Sequence, residues 1–164
     1  MFELKLLSPA AVPKALERAE RYRFLNEPGE AESICLDVLD CEPDHPDALV
    51  VLLLALTDQF PNERALRDAQ LIPPRMRSEY ERAYYTGIIW ERVAKARFEK
   101  GGTGAAFAAY ERFREAMSWY ERAEELRPIN NDDAKLRWNS CARILNREPT
   151  LQPAPEPSQE LPLE

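Results

Sequence analysis

An all-α fold is predicted by three observations. Only five glycines stand against fourteen prolines in 164 residues. The segments between prolines are filled by Ala, Glu, Arg and Leu, which form helices in preference to strands. Small and aromatic side chains recur at helical spacing, as Ala116, Tyr120 and Ala123 do on one face of a segment that Pro128 stops. An apolar content of 45% suffices for one continuous core, so a single domain is expected.

Taken in order, residues 1–12 read as an N-terminal arm, whose alternation in Phe2-Glu3-Leu4-Lys5-Leu6 suits a short strand or an extended segment. Ser8-Pro9 or Val12-Pro13 opens the first helix, which runs to about Asn26 and ends at Pro28-Gly29. A second helix spans about Glu30 to Cys41, stopped before Pro43. Asp44-His45-Pro46 starts a third, with Pro at the first helical position. Ser78 and Glu81 form a capping box that opens a long helix at about Glu79 to Lys100. Gly101-Gly102-Thr103-Gly104 is a hairpin turn, and Asn130 to Asp133 cap a last helix, Asp132 to Arg147. Residues 148–164 read as a Pro-rich flexible tail, because five of the sixteen residues from Pro149 are Pro and too few are apolar to offset the entropy of ordering.

The helices repeat in phase. Ala31 to Ala65, Tyr22 to Leu56 and Leu53 to Gly87 are each 34 positions apart. Ala31, Ala65 and Ala116 are therefore expected at close helix crossings. This spacing, with Ala19, Tyr22, Ala31, Cys35, Val38 and Pro43 in one unit, Gly87 and Trp90 in another, and Ala116, Tyr120, Ala123 and Pro128 in a third, resembles the tetratricopeptide repeat (TPR) family. The departures are Ala for the family's Gly, Cys35 for its second aromatic and Ala15 for its first Trp. The resemblance implies an all-α, right-handed superhelix of about three TPR-like helix pairs over residues 13–147, with a C-terminal capping helix. Phase breaks once: Gly87 to Ala116 spans 29 positions, 17 more than the family has, so both helices of the third unit gain roughly two turns. This insertion, about 92–113, forms a long hairpin that either projects as a partner surface or covers its own apolar side chains.

Chemistry is sparse. Net charge is −7, which excludes a global field for nucleic acid. Residues 79–148 balance at +1 while residues 1–78 sum to −5, so an acidic peptide is a candidate ligand of the third unit. Cys35, Cys41 and Cys141 lack metal-ligand spacing and read as small buried hydrophobes in a reducing compartment. His45 precedes Pro46 at a helix start and reads as a cap. Glu124-Glu125 and Asp132-Asp133 read as a solvated face and a helix N-terminus. No catalytic, cofactor or metal site is expected. The opening residues carry Glu3 and Lys5 where a signal peptide would be apolar, and the longest uncharged apolar stretch, Ala48 to Thr57, is half a membrane span. A soluble, cytoplasmic protein with no membrane or nucleic-acid partner is expected.

The resemblance implies a non-enzymatic adaptor or scaffold binding a partner protein or peptide through its concave face or its long hairpin. The alternative is a structural subunit of a larger assembly or homo-oligomer. Carrying the family's exposed first-helix positions onto this chain gives Glu20, Arg23, Phe24, Thr57, Asp58, Tyr84, Tyr85, Ile88, Glu91 and Arg92 as partner-binding candidates. The carboxylate clamp of chaperone-binding relatives is not implied, since its first-unit positions hold Leu16 and Glu20.

Overall fold

The computed structural model describes residues 1–156 and is all-helical over them. Seven α-helices follow a 3-10 turn at Pro9–Ala11: α1 (Val12–Phe24), α2 (Pro28–Cys41), α3 (Pro46–Thr57), α4 (Glu63–Gln70), α5 (Glu79–Lys100), α6 (Ala105–Leu126) and α7 (Asp133–Arg147). Their starts are written in local chemistry. Pro13, Pro28 and Pro46 occupy first-turn positions where a missing N–H costs nothing. Asn62 caps α4 by accepting the Ala65 N–H at 3.1 Å, and His45 caps α3 by accepting that of Ala48 at 3.4 Å. At α5 both arms of the Ser78/Glu81 capping box are formed. Asn26, Asp44 and Asn130 take the left-handed φ of 60°, 61° and 63° that Asn and Asp tolerate just past helix ends.

Two expectations about boundaries are corrected. Pro28 does not end the first helix. That helix stops at Phe24, and Pro28 is the first residue of α2. The Pro-rich segment is not free from its start, because Leu151 is 4% exposed and belongs to the core, held by its N–H donating to the Glu148 carbonyl at 2.9 Å. The remainder of the expected tail, residues 157–164, lies outside the described residues. Residues 2–7 carry no regular structure; Phe2, Leu4 and Leu6 are exposed, and only Leu7 packs on the core.

The core is organised on α3, which packs against α1, α2, α4 and α5. Its run from Ala48 to Thr57 carries no charge, and Leu49, Leu52, Leu53 and Leu56 are each no more than 5% exposed. Each such burial contributes about 1.5–3 kcal/mol relative to an exposed side chain. Consecutive helices pack as neighbours, the Pro73–Arg75 3-10 turn also packing on α5, and α1, α3 and α5 touch in sequence. Glu32 on α2 ties this layer to α4, accepting from Arg64 at 2.7 Å and from Gln59 at 2.6 Å. The bond from Arg64 holds the Glu32 carboxyl below its ordinary pKa.

The expected long hairpin about 92–113 falls in α5 and α6, which have 22 residues each, against 13 in α1 and 12 in α3. Gly101, Gly102 and Gly104 make the turn with φ of 68°, 103° and 75°, a conformation that costs other residues strain. Along this hairpin Val93 and Phe113 are buried, and Phe98, Phe107 and Tyr110 are half-buried. Phe98 packs on the core, while Trp119 on α6 is 38% exposed.

Ala31, Ala65 and Ala116 are all fully buried. Ala116→Leu is expected to cost about 1–3 kcal/mol by overpacking, read as a lower urea midpoint at unchanged m-value.

The three thiols are free, with Cys35 and Cys141 buried and Cys41 half-buried. Burial pushes the Cys35 and Cys141 thiols up to about 12, and that of the Tyr85 phenol also to about 12. Each group is neutral in the folded chain where the unfolded chain would ionise, so the stability it contributes is complete below its unfolded value. That stability is lost as pH rises from about 9 toward 12. Urea midpoints are expected to be level up to about pH 8.5 and to fall above it. In the same range of neutral pH, iodoacetamide should modify Cys41 alone until the chain unfolds.

Candidate functional site

The faces of α1, α3 and α5 that lie side by side form one surface with two cavities. At the N-terminal ends, a cavity of about 560 Å³ is lined by Leu16, Glu17 and Glu20 of α1, by Asp47, Val50 and Val51 of α3, and by Glu81 and Tyr85 of α5. At the other end, a cavity of about 330 Å³ is lined by Arg23 and Phe24 of α1, by Thr57 and Asp58 at the end of α3, and by Arg92, Lys95 and Glu99 of α5. The second exists because α5 runs past the ends of its shorter neighbours and walls off the space beyond them. The three helices therefore run in the same direction across this surface.

Charge is segregated between the ends. The first cavity presents four carboxylates, Glu17, Glu20, Asp47 and Glu81, with no Lys or Arg in its lining. The second presents Arg23, Arg92 and Lys95 against Asp58 and Glu99. Within it Arg23 holds Asp58 by a two-pronged pair, Nε to Oδ2 at 2.7 Å and Nη2 to Oδ1 at 3.3 Å. Arg92 approaches the same carboxylate only to 3.6 Å through Nη1, and its buried Nε has no hydrogen-bond partner among the described residues. An unpaired buried N–H costs about 1–3 kcal/mol, so this guanidinium is the least satisfied group of the surface.

Behind the cationic cavity lies a buried polar cluster. Glu91 is 0% exposed and accepts from the Tyr120 hydroxyl of α6 at 2.5 Å and from Lys95 Nζ at 2.5 Å, while Arg137 Nη1 of α7 stands 3.5 Å away. Burial and the adjoining Glu91 charge push the Tyr120 phenol far above its ordinary range. The cluster joins α5, α6 and α7 and fixes the position of Lys95 at the edge of the cavity.

Seven of the ten sequence-derived candidates line the two cavities: Glu20 and Tyr85 the acidic one, and Arg23, Phe24, Thr57, Asp58 and Arg92 the cationic one. The other three lie elsewhere. Tyr84 turns toward Tyr120, with ring centroids 5.9 Å apart. Ile88 is 2% exposed and Glu91 0%, so the expectation that they are exposed does not hold, and Thr57, at 4%, offers only an edge. Sequence reasoning missed Glu17, Asp47, Glu81, Lys95 and Glu99. The signal was present for α5: Glu81, Tyr85, Arg92, Lys95 and Glu99 continue one face at helical spacing.

Comparison with family models, with curated proteins and with solved structures found no significant match to this chain. Among the described residues no helix is long and apolar enough to cross a membrane.

Proposed function

We propose that the chain is a TPR-like, non-enzymatic adaptor that binds a partner protein or peptide along the α1–α3–α5 surface, the concave face of a repeat superhelix. The observation that carries this reading is that α1, α3 and α5 place polar side chains of both signs around two cavities on a common surface. Concavity lined by convergent groups is the usual form of a recognition site. The hairpin is the weaker candidate, since Val93, Phe98, Phe107, Tyr110 and Phe113 of the inserted stretch are buried or half-buried.

The test is affinity capture from the native cell followed by mass spectrometry, using the full chain, a groove variant (Glu20→Gln with Arg92→Gln) and a hairpin-surface variant (Arg114→Glu). Partners retained by the hairpin variant and lost by the groove variant support the reading. Partners with the opposite pattern move the functional surface to the hairpin.

A second reading, a subunit of a homo-oligomer, is favoured by the N-terminal arm, where Phe2 and Leu4 are 99% and 80% exposed. Sedimentation of the full chain against a Phe2→Ser, Leu4→Ser, Leu6→Ser variant decides it: an oligomer that the variant dissolves would establish that role for the arm.

A further inference from the structure

We infer that the groove selects a bipolar segment, an extended peptide carrying a basic side chain at one end and an acidic side chain about five residues away. This deepens the adaptor reading and rests on it. Asp47 and Asp58 mark the two ends on α3, and Glu81 and Arg92 mark them on α5. Each pair is eleven residues apart, about 16 Å at the helical rise. An extended or polyproline chain covers that distance in about five residues.

Charge complementarity fixes the sign at each end. Four carboxylates at the first end call for a Lys or Arg of the ligand. At the second end three cations face two carboxylates: Arg92 approaches Asp58 only to 3.6 Å, and Arg23 and Lys95 spend only part of their donor capacity on Asp58 and Glu91. A carboxylate of the ligand would pair with the terminal guanidinium nitrogens of Arg92, whose side chain is one-third exposed, in the geometry guanidinium groups prefer. The helix macrodipole accounts for some of this segregation, since Asp47 and Glu81 stand in first turns and Arg23 in a last turn. It does not account for Glu20 or Arg92, which sit in helix interiors. Exposed Phe24 at the rim of the cationic cavity offers an apolar contact beside the ligand's acid.

The experiment is fluorescence anisotropy with the full chain and capped, labelled peptides. One probe has paired lysines and paired glutamates separated by an intervening run of prolines and leucines. Three controls have Gln for the lysines, Gln for the glutamates, or Gln for both. The bipolar probe is expected to bind about tenfold more tightly than either singly charged control, and more tightly still than the neutral one. Arg92→Gln should weaken it about tenfold while leaving the control with Gln for the glutamates unaffected. Glu20→Gln should do the converse against the control with Gln for the lysines. Glu99→Gln, which removes a competing carboxylate, should tighten the bipolar probe several-fold. Arg18→Gln, the same loss of charge at an exposed position outside both cavities, should change nothing, and circular dichroism melts should confirm that each variant folds. Equal binding of bipolar and neutral probes, no binding of the bipolar probe, or equal effects of Arg92→Gln and Arg18→Gln would overturn the inference. If captured cellular partners bind the Glu20 and Arg92 variants undiminished, the bipolar selection fails while the adaptor reading survives on another surface. If the full chain captures no partner, it is the adaptor reading that fails.

Discussion

Glu91→Ala is expected to destabilise the folded chain by about 3 kcal/mol or more, the scale of breaking a buried ion pair by removing one partner. The carboxylate is wholly buried and is the acceptor for Tyr120 and Lys95, with Arg137 close by. Lys95 and Arg137 are about one-third exposed and can turn to water, with side-chain exposures of 34% and 30%. The Tyr120 hydroxyl, on a residue with no exposed surface, cannot. The loss therefore falls on a stranded hydroxyl, on a cavity, and on the attachment of α7. Glu91→Gln keeps the volume and an acceptor for Tyr120, so it should cost roughly half as much. Urea unfolding followed at 222 nm measures both. A Glu91→Ala midpoint indistinguishable from the parent would mean that the cluster does not hold the three helices together.

Gly87→Ala is expected to be destabilising although Ala is the better helix former by about 1 kcal/mol. A Cβ built on Gly87 would lie 2.6 Å from Cε1 and 2.8 Å from Cδ1 of Tyr120. Those are atoms of a buried ring whose hydroxyl is pinned to Glu91, so the ring cannot swing aside without breaking that bond. Overpacking of this kind costs about 1–3 kcal/mol and here exceeds the propensity gain. The double variant with Tyr120→Leu distinguishes the cause. With the ring gone, the added methyl has space, and the two effects should sum to less than their separate costs. A strictly additive pair would refute the close approach of α5 and α6 at this position.

Much of the fold is legible without coordinates. Prolines at first-turn positions, the Ser78/Glu81 box, the Gly101–Gly104 turn and the uncharged run of α3 are local signals, and a local signal determines a local structure. So does the 34-residue phase, which returned fully buried alanines at 31 and 65, and the extra length of α5 and α6 followed from where that phase broke. Of the positions taken from the family resemblance, Glu20, Arg23, Asp58, Tyr85 and Arg92 line the two cavities.

What periodicity cannot supply is the identity of the neighbour that covers a face. Glu91 stands one residue from Arg92, and sequence alone groups the two. Only the packing of α6 on α5, with Arg137 of α7 reaching over it, takes Glu91 into the core and leaves Arg92 at the cavity wall. Leu151 shows the same limit in reverse, since composition marks its segment as free while the core accepts its side chain. The charge segregation of the groove is likewise tertiary. Its acidic end draws on residues from 17 to 81 and its cationic end on residues from 23 to 99, and only the alignment of three helices sorts those charges by sign. The amino-acid sequence by itself determined which segments are helical and which residues share a helical face, because backbone preference and side-chain period act over a few residues. The tertiary structure alone decided which charges are buried and which line an open cavity, because burial and electrostatic environment depend on segments far apart in the chain.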